Sequence, residues 1–422
     1  MQPNEAREVG RIVGDSLQET ADRVNEVHTA LVGRGYRGLR RVVGRRGGST
    51  VDRVEHVHTA ALDGVARRIG RALHTAGHLG GRVGARLTDG QPVVQERLAH
   101  DVVSVLNGVT GDRLQASGSA LQLPMALRAA GRDVPLTEQG VRAAYPTAGP
   151  LIVVFLHGLI ETDAWWDIRS ERNWGRPGES YTARLAAEGV WTPVRLRYNT
   201  GLRVSANGAE LDALLERLVA VWPVPVTGLV LVGHSMGGLV LHSALVQAGP
   251  DRRWPGLVRT TVTIGTPHRG SSLARFSAKA TPVLARVPET QWLADALRGS
   301  AAGIRDLRFG SLLPGDGGDR DPDGPPPGAA VPLRAGVRHC VVVGTVPLHR
   351  DGWLAGLIGD LLVRPGDAVP APERGPIQPR DVRLVGGARH LDLLNHPAVY
   401  VHLSEWLADA ARHSPPGGTG PG

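Results

Sequence analysis

The stretch from Val226 to Val240 constrains this chain more than any other. It holds Gly233-His234-Ser235-Met236-Gly237, a G-x-S-x-G motif. The apolar run Leu229-Val230-Leu231-Val232 precedes the motif and a helix-compatible segment, Gly238 to Gln247, follows it. Strand, sharp turn and helix in that order make a nucleophile elbow. A serine on so tight a turn has a strained backbone, and side chains at 233 and 237 would strike the adjoining strand and helix. A bare G-x-S-x-G occurs by chance, and the plain alternative is a Gly-rich turn without chemistry. The strand before and the helix after select the nucleophile reading, with the Ser235 hydroxyl presented at the carboxyl end of a sheet.

The pattern around the motif predicts that sheet. Met125 to Arg128 and Val134 to Leu136 flank Gly131-Arg132-Asp133 as an opening antiparallel hairpin. Leu151 to Leu156 is a continuous apolar run, as in a strand buried on both faces. Val194–Tyr198, Leu257–Ile264, Val337–Gly344 and Val382–Val385 read as further strands, Glu210–Trp222 as an amphipathic helix, and Pro397–Arg412 as a closing helix with Pro in its first turn. Strands alternating with helices imply an α/β fold with a doubly wound, mostly parallel sheet. The expected domain covers 118–412, with helical material inserted at 271–310 and a Gly/Pro/Asp-rich flexible loop at 314–332. Residues 413–422 read as a flexible tail.

Residues 1–117 have a different character. Apolar residues recur at helical spacing, with Gly-rich breaks, and Val24 to Ala30 matches Val54 to Ala60 in a weak repeat. A small helical bundle is the expectation. A docking module, its basic amphipathic helices lying on a lipid surface or a partner, is the sharper alternative, although the polar faces mix both charges. His28 and His58 lack a supporting carboxylate or Cys cluster and read as helix-surface residues, not metal ligands.

Composition excludes several classes. The net charge is +8, but Lys279 is the only lysine, so the arginine excess reads as a compositional habit and not as a nucleic-acid footprint. The single cysteine, Cys340, sits in an apolar run, so no disulfide framework exists within the chain and a buried strand thiol is expected. The first residues are acidic and carry no apolar core of a signal peptide, and no apolar stretch reaches the roughly 18 residues of a membrane span; the expected compartment is the cytoplasm. Asp319 to Gly324 resembles the first half of a calcium loop, but Ala330 stands where the twelfth-position Glu belongs. No metal and no cofactor is expected.

A serine becomes a useful nucleophile only beside a base that is itself oriented by an acid. On an elbow of this kind the acid and then the histidine follow the serine in sequence. Asp360, in Gly359 to Val363, and His390, in Gly386 to Asp392, occupy those places beyond the last two strands. Asp367 lies only seven residues from Asp360, and spacing does not exclude it; Asp351 also competes. His396, before Pro397, fits the start of the final helix better than the role of base, and Asp392 fits a loop or helix partner. The developing oxyanion needs amide donors, and Met236, after the nucleophile, is one. Leu159, in Phe155-Leu156-His157-Gly158-Leu159, is the other, with Gly158 letting the backbone bend. His157 reads as a structural brace. His234, Trp165 and Trp166 are expected to contact substrate; for the tryptophans, and for Trp174, ordinary packing is an equal alternative.

As a set, His157-Gly158-Leu159, Gly233-His234-Ser235-Met236-Gly237-Gly238, Gly265-Thr266-Pro267-His268-Arg269-Gly270, Gly359 to Val363 and His390 to Leu394 resemble a lipase/esterase-type member of the α/β-hydrolase superfamily, in the triacylglycerol lipase and GPI inositol-deacylase-like branches. The resemblance covers about 118–412. It implies a serine hydrolase acting on carboxylic esters, on lipid or other apolar acyl substrates, and a lid at 271–310. An acyltransferase or thioesterase on the same groups is the first alternative; a lipid-surface or partner-docking protein with the hydrolase fold as scaffold is the second. Acyl length and oligomeric state are not encoded in these motifs.

Overall fold

A computed structural model describes residues 94–119, 121–270, 301–307, 310–314, 332–346, 360, 362–370 and 377–412. The expected helices of 1–93, with the docking alternative they carry, fall outside the described residues, as do 271–300 of the lid insertion, 315–331 of the Gly/Pro/Asp-rich loop and the tail. The chain divides into two units between Leu106 and Asn107, and the second contains the sheet.

Eight strands form one sheet in the order β2-β1-β4-β3-β5-β6-β7-β8. Their spans are β1 Ala126–Ala129, β2 Arg132–Val134, β3 Leu151–Leu156, β4 Thr192–Arg197, β5 Gly228–His234, β6 Val258–Ile264, β7 Arg338–Thr345 and β8 Val382–Gly386. β1 is antiparallel to both its neighbours, and all other pairings are parallel. The hairpin turns at Ala130 and Gly131, both at positive φ (48° and 76°), a backbone that matches strand twist.

The apolar run at β3 is buried on both sides, as its composition predicts. Ile152, Val154 and Leu156 join one core with Leu229 and Leu231 of β5; Val153 and Phe155 join the other with Val230 and Val232. Each such side chain contributes about 1.5–3 kcal/mol of apolar burial, so these two strands anchor the fold. Along the chain come helices α1 (Val94–Ala116), α2 (Tyr181–Glu188), α3 (Val204–Val221), α4 (Met236–Gln247), α5 (Ala302–Leu307) and α6 (Pro397–Arg412). α3 and α4 cover the first face, while α2 and α6 cover the second. α4 is buried all round from Met236 to Leu245, as expected of a helix without a polar stripe. α3 begins six residues before its expected start. Ala206-Asn207-Gly208 is a poor helix sequence, but Gly208 comes so close to Ser243 of α4 that a Cβ there would collide with it. Packing overrides propensity at that turn.

Cys340 is buried in β7, where it pairs with Val262 of β6. Burial, with a smaller contribution from Asp381, pushes its thiol well above the ordinary range. Among the described residues, no helix is long and apolar enough to cross a membrane.

Candidate active site

The parallel strands end on one rim, and the order reverses where β3 lies between β4 and β5. Such a switch point leaves a crevice at the carboxyl ends. Ser235 follows β5 there with φ 51° and ψ −120°, a conformation a non-glycine residue holds at a cost of about 1–3 kcal/mol. Its amide donates to the Ile264 carbonyl at 2.8 Å. The flanking glycines are required by contact: a Cβ at 233 would lie 2.5 Å from the Gly237 carbonyl carbon, and one at 237 would lie 2.5 Å from the Leu156 carbonyl oxygen.

His390 opens a 3-10 turn, His390–Asn395, in place of the expected loop. Its Nδ1 lies 2.7 Å from Asp360 Oδ2. The other oxygen of Asp360 accepts the amides of Leu362 at 3.0 Å and Val363 at 2.8 Å. With the carboxylate fixed in this way, Nδ1 carries the proton, and Nε2 has no hydrogen-bond partner among the described residues. Burial lowers the His390 pKa, but the charge and hydrogen bond of Asp360, with help from Glu161, outweigh it and the net shift is upward. A Cβ on Gly265 (φ 59°) would lie 3.2 Å from both Asp360 Oδ2 and the His390 ring. Gly265 directly follows Ile264, the residue that accepts the Ser235 amide, so serine, histidine and aspartate share the end of β6.

Of the competing residues, Asp351 lies outside the described residues, and the others have the following partners. Asp367 sits in the first turn of the short helix Pro365–Ala368, where its carbonyl accepts the Arg269 amide. His396 Nδ1 accepts the Ala398 amide at 3.2 Å, at the start of α6. Asp392 caps its own turn through the Arg389 amide and pairs with Arg169.

In the loop after β3, Gly158 N–H donates to Glu161, Ile160 N–H to Thr200 Oγ1 at 3.2 Å, and Glu161 N–H to the Gly158 carbonyl. The Leu159 amide has no acceptor among the described residues. Met236 opens α4, so its N–H is one of the helix's unsatisfied donors. His157 braces the loop as expected: its ring stacks on Tyr198 at 4.6 Å, and its carbonyl accepts the Tyr198 hydroxyl at 2.7 Å.

Two of the expected substrate contacts are corrected. Trp166 has no exposed surface and packs edge-on against Phe155 in the second core. His234 is equally buried, because it is still the last residue of β5 and is covered on both faces. Trp165 is partly buried against the same core, and Trp174 donates to Asn395 Oδ1 at 2.9 Å. The sequence reading missed Glu161. Its buried carboxylate meets His234 Nδ1, a pairing 73 residues apart that no local signal carries. Among the described residues, no group of three His, Cys, Asp or Glu side chains could hold a metal.

The PGAP1-like alpha/beta domain family matches residues 215–316, which include the elbow and the Gly265–Gly270 turn. A triacylglycerol lipase of Burkholderia plantarii is 29% identical over 155 residues, 35% of this chain and 38% of that protein. A triacylglycerol lipase of Pseudarthrobacter phenanthrenivorans is 30% identical over 131 residues, 29% of this chain and 35% of that one. The chain thus spans little more than a third of the length of these curated relatives. Among solved structures, the mature form of the Bacillus licheniformis lipase BlEst2 is 19% identical, covering 62% of this chain and 91% of that one with a TM-score of 0.39.

Proposed function

We propose that the chain is an α/β-hydrolase of the lipase/esterase type and, within it, a serine hydrolase cleaving carboxylic esters with apolar acyl groups. The observation that carries the reading is the 2.7 Å contact between His390 Nδ1 and Asp360 Oδ2 at the same strand end as the strained Ser235. In this reading Ser235 Oγ attacks the ester carbonyl while His390 Nε2 takes its proton. Asp360 holds the ring in the productive tautomer and stabilises the imidazolium that forms. The Leu159 and Met236 amides receive the oxyanion. His390 then returns the proton to the leaving alcohol, and water hydrolyses the acyl-enzyme by the same steps in reverse roles. The apolar preference is supported by the names of the curated relatives, both triacylglycerol lipases.

The test is fluorophosphonate labelling together with turnover of p-nitrophenyl esters of graded acyl length. The expected result is one label on Ser235 and faster turnover of medium or long acyl chains than of acetate. A folded chain that takes no label and turns over no ester would end the reading.

A further inference from the structure

Glu161 and His234 are almost without solvent contact, with side-chain exposures of 3% and 0%. His234 Nδ1 lies 3.0 Å from Glu161 Oε1 and 3.1 Å from Oε2. Glu161 Oε2 also accepts the Gly158 amide at 2.5 Å. On the other side of the imidazole, Nε2 lies 3.1 Å from the His390 carbonyl, and the two histidine rings are 4.7 Å apart. One buried pair therefore joins the oxyanion loop to the backbone of the base, across the residue immediately before the nucleophile.

The proton count follows from the partners. A carbonyl only accepts, so His234 Nε2 carries a hydrogen. Burial pushes the Glu161 carboxyl up, but the charge and hydrogen bond of His234, then the Gly158 amide, outweigh it and hold it below the usual range. A carboxylate facing Nδ1 is satisfied only by a hydrogen there too, so a charged Glu161 goes with a His234 protonated on both nitrogens. An ion pair this deep stands only when each charge is hydrogen-bonded at every side, and Glu161 and His234 meet that condition. We infer that Glu161 and His234 form a buried ion pair that acts as a positioning device, setting the oxyanion loop and the His390 backbone in register. The inference rests on the hydrolase reading for its kinetic consequences; the charge state of the pair does not. Among the described residues, the other charged and titratable groups around the pair are His157 and Tyr198 on the loop side, with Asp163 and Arg197 acting on His157, and His390 with Asp360 on the other side.

The test is Glu161→Gln, which keeps the shape and removes the charge. On p-nitrophenyl butyrate kcat should fall about ten- to hundredfold with KM within about twofold, because alignment and not binding is lost. In Glu161→Gln the buried His234 should also lose one ring proton, read by imidazole nitrogen NMR; a packing role alone would leave its protonation unchanged. Wild-type kcat, or a His234 still protonated on both nitrogens in Glu161→Gln, overturns the inference. Imidazole nitrogen NMR on the wild-type chain gives a readout that needs neither a folded variant nor activity. Both His234 nitrogens should be protonated at pH 7, and a neutral His234 overturns the ion pair. Loss of ester turnover in Ser235→Ala is the separate check on the hydrolase reading. If Ser235→Ala retains turnover, that reading fails while the NMR result still decides the pair.

Discussion

His390 and Asp360 are bound to each other twice, through Nδ1 to Oδ2 at 2.7 Å and through the His390 amide to the Asp360 carbonyl at 3.0 Å. Ring and backbone are therefore held by the same partner, and the ring has little freedom to leave its plane. Asp360→Asn should keep the backbone link while presenting an amide to Nδ1. We expect kcat on p-nitrophenyl butyrate to fall about 10³- to 10⁴-fold through the wrong tautomer, with folding monitored by circular dichroism and little changed.

The same pair sets the pH dependence. In the proposed mechanism His390 is the general base and works when neutral; its pKa is raised, chiefly because Asp360 outweighs the effect of burial. Activity should be lost as pH falls through that raised value, so the half-maximal point of kcat/KM should lie above the ordinary imidazole value of about 6.5. In Asp360→Asn the limb should shift to lower pH. A pH–rate profile of both proteins checks the sign.

Ser235→Ala should abolish ester turnover and fluorophosphonate labelling. The hydroxyl makes no hydrogen bond among the described residues, so the loss of folding stability should stay below about 1 kcal/mol by thermal denaturation.

Gly237→Ala should be much more costly than its size suggests. The new methyl would lie 2.5 Å from the Leu156 carbonyl and 2.6 Å from that of His157, both backbone atoms at the end of β3. Overpacking of that kind costs about 1–3 kcal/mol or more. It would also push the oxyanion loop outward, so thermal stability and kcat should fall together.

Tyr181→Phe should loosen the segment behind the base. The Tyr181 hydroxyl donates to the Leu393 carbonyl at 2.8 Å and accepts the His396 amide at 2.7 Å, both far along the chain from α2. Removing it strands buried polar groups at about 1–3 kcal/mol, which a chemical denaturation midpoint would register.

The strands and the elbow were legible because one alternation rule governs them. A run such as Leu151–Leu156 has no polar face, so it must be covered twice, and the G-x-S-x-G that follows the next such run fixes where the chain turns. Asp360 and His390 were singled out by their order after the serine, and the coordinates bring those two together, while the His396 ring accepts the Ala398 amide at the start of α6. His234 and Trp166 were misread because exposure is not written locally. His234 adjoins a serine of the rim but still belongs to a strand covered on both faces, and the 3-10 turn Asp163–Asp167 buries Trp166 while leaving its neighbour Trp165 partly open. Glu161 was invisible for a related reason: an acid in a polar loop acquires meaning only from the histidine that meets it from the end of the neighbouring strand.

The seclusion of Cys340 has a practical consequence. The only thiol in the chain is sealed between β6 and β8 and held in its protonated form. Electrophilic probes applied to the native protein will therefore report on oxygen and nitrogen nucleophiles without interference from sulfur. A maleimide, inert until the sheet opens, becomes a counter of global unfolding events in the same sample.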